Sequence, residues 1–210
     1  MKVVLLNAAD KVADLGNGLN LGMSKTLLNQ SHFSWLTSEA YWDAAIPLDI
    51  QMGAGHLNAT RAYEQFSAGQ WRPDAPVPAV GWNYDRLEER GSYRDYVIEA
   101  PLKQGSLISV TLAWNRWVEL QDSNGNGQYD VGETFDDRGL NNLDIFLMPA
   151  EATDISQSIW SSISEVDSTE HLVYRIPQTR KYKIRVYYRD RVHDAEQDYA
   201  IAWWSLPASN

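Results

Sequence analysis

The sequence predicts a mainly β protein, an antiparallel β-sandwich of jelly-roll type preceded by a small helical segment, and three observations lead there. Apolar residues alternate with a period of two through most of the chain after residue 81. Gly, Pro and Asn punctuate that stretch into many short runs, as hairpins and Greek-key connections require. Helical spacing is confined to the two ends of the first 68 residues.

In chain order, Val3, Val4, Leu5, Leu6, Ala8 and Ala9 form an apolar turn and a half. A second helix is expected where Leu57, Ala59, Ala62, Tyr63 and Phe66 recur behind a cap at Asn58. The stretch between them, rich in Asn, Gly and Ser with aromatic anchors Phe33, Trp35, Tyr41 and Trp42, reads as an irregular excursion. Residues 69–80 carry Pro73, Pro76 and Pro78, which fix φ and remove amide donors, so a linker is expected there. The division is therefore 1–68, a helix–loop–helix segment; 69–80, a Pro-rich linker; and 81–210, the sandwich. Its strands are read at Tyr93, Tyr96 and Ile98; Leu107 to Trp114; Leu143 to Leu147; Ile159 and Ser161; Leu172 to Ile176; Tyr182 to Tyr188; and Tyr199 to Trp203.

Composition narrows the function classes. A net charge of -10 repels phosphate backbones and anionic lipid, and the nearest basic run, Arg180, Lys181, Lys183 and Arg185, alternates with Tyr182 and Ile184 as the outer face of a strand would. Nucleic acid and membrane are not expected as partners, and no apolar run is long enough to span a bilayer. The absence of cysteine excludes disulfides and thiolate chemistry, so any metal must be held by oxygen. The opening Met-Lys-Val-Val-Leu-Leu imitates an export signal, but Asn7, Asp10, Lys11 and Asp14 interrupt it early, so none is expected in the chain as written.

The most specific chemical pattern is DSNGNGQYDVGE at 122–133. With Asp122 at position 1 of a twelve-residue calcium loop, Asn124 falls at 3, Asn126 at 5, Gly127 at the sharp turn, the Gln128 carbonyl at 7, Asp130 at 9 and Glu133 at the bidentate position 12. A hard cation of Ca2+ size wants six to eight oxygens, which a short loop supplies when alternate residues turn inward and glycine allows the reversal. Two Asn in place of Asp lower the charge, so an affinity of roughly micromolar to millimolar is expected. The flanks lack paired helices, which places the loop between strands; the plain alternative is a solvated Asn-Gly turn. Asp136, Asp137 and Asp144 lie just beyond, as a second oxygen cage or an ordinary acidic turn.

Other residues are read more plainly. His32, His56, His171 and His193 are dispersed without metal-ligand or serine-motif spacing and suit structural or surface roles. Asn29 and Asn58 fit the N-glycosylation pattern, Asn58 better as a cap. The nine tryptophans suit packing first and, if aligned on an exposed face, ligand stacking second; of the adjacent Trp203 and Trp204, one must face outward on a strand.

VVLLNAADKV at 3–12 followed by MGAGHLNATRAY at 52–63, with Gly53, Gly55, Asn58 and Ala59, resembles the closing section of subtilisin-like (S8 family) serine proteases. GWNYD, TLAWNR, NLDIFL, STEHLVYRIP, YKIRVYY and YAIAWW look like the jelly-roll domain that follows the catalytic domain in many secreted members. The resemblance implies an extracellular or envelope protein, with the subtilase catalytic domain as partner and a calcium-binding accessory and stabilising role. The Asp, His and Ser of a triad are missing, and Ser24 in GMSK does not match the nucleophile motif, so no enzyme is expected in this chain. An independent carbohydrate- or protein-binding sandwich is the alternative. An apolar N-terminal helix without its parent sheet must pack on the sandwich, self-associate with another copy, or stay exposed.

Overall fold

The computed structural model describes residues 1–11, 13–14 and 33–206. Ser24, Asn29 and His32 lie outside the described residues.

In chain order the elements are α1 (Lys2–Asn7), β1 (Ala13–Asp14), β2 (Phe33–Ser34), α2 (Glu39–Trp42), α3 (Ala59–Ser67), β3 (Val80–Leu87), β4 (Tyr93–Val97), β5 (Leu107–Trp114), β6 (Trp117–Gln121), β7 (Thr134–Gly139), β8 (Asn142–Pro149), β9 (Trp160–Ser162), β10 (Thr169–Arg175), β11 (Tyr182–Asp190) and β12 (Gln197–Leu206). Two four-stranded antiparallel sheets form, one ordered β10-β5-β12-β3 and the other β4-β11-β8-β9. With the β6–β7 ribbon set aside, that is the strand order of an eight-stranded jelly roll, so the expected fold class holds.

Period-two alternation decides which side chains meet between the sheets. Ile108, Val110 and Leu112 of β5, Leu143, Ile145 and Leu147 of β8, Ile184, Val186 and Tyr188 of β11, and Ile201 and Trp203 of β12 form one core. Trp203 faces inward and Trp204 outward, as their adjacency demands. Val77, inside the Pro-rich stretch, is also part of this core and pairs with Ile98.

The outer faces are used too. Val3, Val4 and Ala8 at α1, with Ala62 of α3, lie on Ala113 and Ala202, the small side chains letting helix and sheet approach closely. Of the three fates open to the apolar helix, the chain adopts the first: its buried face is consumed by its own sandwich rather than left for a second copy. Asn58 caps α3 as its sequence position suggests, its side-chain oxygen accepting the Arg61 amide at 2.9 Å. Gly55, at φ 114, brings its chain against Asp10, where an added Cβ would stand 2.2 Å from the Asp10 carbonyl; Asp10 and His56 exchange backbone hydrogen bonds beside it.

Lys183 and Arg185 do occupy the outer face of β11, but they are buried there rather than solvated. Asp95 on the neighbouring β4 accepts from Lys183 at 2.8 Å and from Arg185 at 2.7 Å, and the Arg185 guanidinium lies 3.8 Å over the Tyr93 ring.

Candidate functional site

The ribbon β6–β7 lies outside both four-stranded sheets. It is inserted into the connection from β5 of one sheet to β8 of the other, pairing only Trp117–Gln121 with Thr134–Gly139. Trp117, Val118, Tyr129, Val131 and Phe135 are exposed along it and its tip. Tyr129 and Phe135 stack on each other at 5.6 Å, which gives the tip an apolar knob. Surface pairs hold the ribbon in register: Arg138 bonds Glu119, and Gln121 bonds Asp136.

At the root of the ribbon an open cleft of about 640 Å3 is lined by the β5–β6 turn, β3, the 193–196 loop and the start of β12. Trp117 forms one wall and Tyr84 another. The arginines are already matched. Arg86 reaches Asp198 at 2.6 Å and also bonds Glu196, while Arg116 bonds Asp137 at 2.6 Å. The Arg86 bonds draw the Asp198 carboxyl below its usual range. His193 stands edge-on to Trp117 at 5.6 Å. Its Nδ1 accepts the Asp194 amide at 2.8 Å, which leaves the proton on Nε2, a buried donor with no partner among the described residues.

The tip holds the six residues singled out as calcium ligands. Asp122 accepts the amides of Gly125, Asn126 and Gly127, and these bonds, led by Gly127, hold its carboxyl below the usual range. The Asn124 and Asn126 side chains converge on Asp130 at 2.6 and 2.8 Å. Glu133 closes the loop by accepting from the Ser123 and Asp130 amides, at 2.9 and 3.0 Å. The Gln128 amide bonds Asn126 Oδ1 at 2.7 Å. Gly125 and Gly127, both at φ 73, make the reversals that an L side chain would resist. Among the described residues no three acidic or histidine side chains close into one metal cluster, so the oxygens of this loop serve its own amides in the structure as it stands. Asp136, Asp137 and Asp144 do not form a second cage: they bond Gln121, Arg116 and Arg189 respectively.

The cleft was not legible in the sequence, because its residues come from four separate stretches. The exposure of Trp117, Val118, Tyr129, Val131 and Phe135 around the loop, which marks the site, is a property of the folded chain alone. His171 bonds Thr111 and approaches Lys11, and His193 bonds Asn141 and Asp194. Neither imidazole lies between a serine hydroxyl and a carboxylate in the manner of a hydrolytic triad.

Fold and site together define a jelly-roll sandwich carrying a projecting ribbon with an adjoining cleft. Neither a family model nor a curated protein matches the chain. A solved structure that does match is a periplasmic inhibitor of g-type lysozyme, PliG of Aeromonas hydrophila; the identity is 14%, the TM-score 0.37, and the match covers 60% of this chain and 84% of that one. At that score the likeness carries no argument about function.

The resemblance to subtilisin-like proteases is corrected here. No family model and no curated protein of that kind matches the chain, and the solved structure described is an inhibitor. The residues that carried the resemblance have local reasons to be what they are: Gly53 and Gly55 take positive φ, Asn58 caps α3, and Asn7 bonds Gln65, Ser109 and Thr111 beneath the helices. The accessory role and the subtilase catalytic domain as partner fall with it, and the apolar face of α1 is packed on the chain's own sheet.

Proposed function

We propose that this chain acts as a non-catalytic binding module that docks a protein partner on the β6–β7 ribbon and the cleft at its root. One observation carries the reading: five large apolar side chains stand exposed on a single ribbon held away from both sheets. The ribbon has two strands, so each has an outer edge without a strand neighbour, and an extended segment of a partner can add there through main-chain hydrogen bonds. A carbohydrate reading is favoured less, because Tyr129 and Phe135 spend one ring face each on the other instead of forming an open platform.

Calcium is part of the proposal. Asp122, Asn124, Asn126, the Gln128 carbonyl, Asp130 and Glu133 supply the oxygen types and spacing for it, and an amide rotation at Asn124 and Asn126 would turn oxygen toward Asp130. Bound there, the ion would stiffen the tip and fix the ribbon that the partner meets. The weak end of the expected micromolar-to-millimolar range, about 10⁻⁴ to 10⁻³ M, suits extracellular or envelope surroundings, where such sites fill.

The test is panning a displayed random-peptide library against the purified chain in millimolar calcium and in EDTA, with a glycan array alongside. Enrichment of peptides whose binding falls at least about tenfold in Trp117→Ala or Phe135→Ala, with Tm changed little, is the expected result. Glycan binding without peptide enrichment sinks the protein-docking reading; an identical Tm in calcium and EDTA removes the ion.

A further inference from the structure

Away from the ribbon, under the N-terminal segment, a buried chain of hydrogen bonds ends on an amine. Gln65 donates to Asn7 Oδ1 at 2.8 Å, and Asn7 Nδ2 donates to Thr111 Oγ1 at 3.2 Å and to Ser109 Oγ at 3.1 Å. Thr111 Oγ1 lies 2.7 Å from His171 Nδ1, and His171 Nε2 lies 2.8 Å from Lys11 Nζ. Lys11 in turn bonds the Ala54 carbonyl and sits 4.2 Å over the Trp35 ring.

The proton count along this chain fixes the state of its last member. Both Asn7 amide hydrogens are spent, one of them on Thr111, so the Thr111 hydroxyl proton finds its acceptor among the described residues at His171 Nδ1. The imidazole proton then sits on Nε2 and points at Lys11, which accepts it only as a neutral amine with its lone pair free. An ammonium at Lys11 would reverse the imidazole and leave the Thr111 proton without an acceptor. Burial first, and the Arg61 guanidinium second, press the same way, bringing Lys11 down to about 7 against the opposing pull of Asp10. Burial likewise keeps the His171 imidazole neutral.

Lys11 and Arg61 line a pocket of about 240 Å3 whose remaining wall includes Leu36, Leu107, Val173 and Trp204. We propose that this pocket admits carbon dioxide and that Lys11 Nζ is a site of reversible carbamate formation. Carbon dioxide is small, uncharged and apolar, so it enters without the desolvation cost of an ion. The Nζ lone pair forms a bond to its carbon, one C=O π pair moves onto oxygen, and a proton leaves the nitrogen for water: amine and CO2 give carbamate and H⁺, with no change of oxidation state. The nitrogen keeps one hydrogen for the Ala54 carbonyl. The new carboxylate takes up the Nε2–H of His171, already directed at this point, and gains from the positive field of Arg61. Asp10, held by Arg61 at 2.8 Å, is the charged group that opposes it.

The experiment treats the full chain with carbon dioxide and bicarbonate at pH 7 to 8, traps carbamates with a trialkyloxonium reagent, and maps the mark by mass spectrometry. An exposed lysine is neutral in fewer than about one molecule in a thousand at pH 7, against about half for an amine of pKa near 7. The mark on Lys11 is therefore expected to exceed that on Lys103 or Lys181 at least about a hundredfold, to depend on carbon dioxide, and to vanish in Lys11→Met. An even spread over the exposed lysines overturns the proposal. So does an unmarked Lys11 in saturating carbon dioxide, even where competitive acylation of the same untreated chain finds its amine neutral.

Discussion

Glu170 shows at the scale of one residue how placement sets chemistry. Its side chain is fully buried at the end of β10, with Ser162 on one carboxyl oxygen and the Ser164 amide on the other at 2.7 Å. Burial pushes the carboxyl up to about 9, against the pull of the Ser162 bond and with a further push from Asp144. The folded chain therefore keeps a proton that the unfolded chain loses above about 4.5, and between those values stability falls as pH rises, by about 1.4 kcal/mol per pH unit where the difference is complete. The stability is fully present below the lower value and is lost progressively up to the higher. Glu170→Gln keeps the shape of the protonated group and removes the slope, so urea unfolding at pH 5, 7 and 8 is expected to show the variant gaining on the native chain at each step. Parallel curves for the two would place the charge elsewhere. Nothing in the local sequence, STEHL, announces a protonated glutamate; that property comes from burial alone.

Among the elements, α3 was the most legible and the ribbon the least. Asn58 followed by apolar residues at helical spacing specifies both the start and the buried face of α3, because the cap satisfies an orphan amide within three residues of itself. Asn58→Ala is expected to cost about 1 kcal/mol, read from the urea midpoint, and Asn58→Gly only a few tenths. An equally large loss in the glycine variant would shift the weight to the second contact of Asn58, its 3.1 Å bond to Asp10. For β6 and β7 the sequence suggested an inserted loop but not a standing ribbon, because Trp117, Val118 and Phe135 have the composition of core residues. Their exposure follows from where β5 and β8 end, which no local pattern contains.

For the whole molecule, the N-terminal segment and the sandwich share buried surface. Val3, Val4 and Ala62 cover Ala113 and Ala202, and Gln65 reaches the Trp203 carbonyl at 2.9 Å. That contact predicts one cooperative transition, with far-ultraviolet circular dichroism and tryptophan fluorescence sharing a midpoint. Val4→Asp, which puts a carboxylate against the sheet, is expected to lower both signals together. Two separated transitions, only the first of them moved by the substitution, would show the segment to be a loosely attached appendage.

The sequence by itself determined the sheet content, the alternation that sorts Trp203 from Trp204, the capped helix at Asn58 and the oxygen-rich loop at 122–133, because each rests on contacts within a few residues or on a strict period. Tertiary structure alone decided the jelly-roll strand order, the covering of one sheet by α1 and α3, the cleft at the ribbon's root and the buried Lys11–His171–Thr111 chain. These join residues far apart in sequence, Lys11 and His171 by 160 positions, and the physical cause is common to them: desolvation and proton placement depend on which surfaces close over a group, which the chain settles only when its sheets pack.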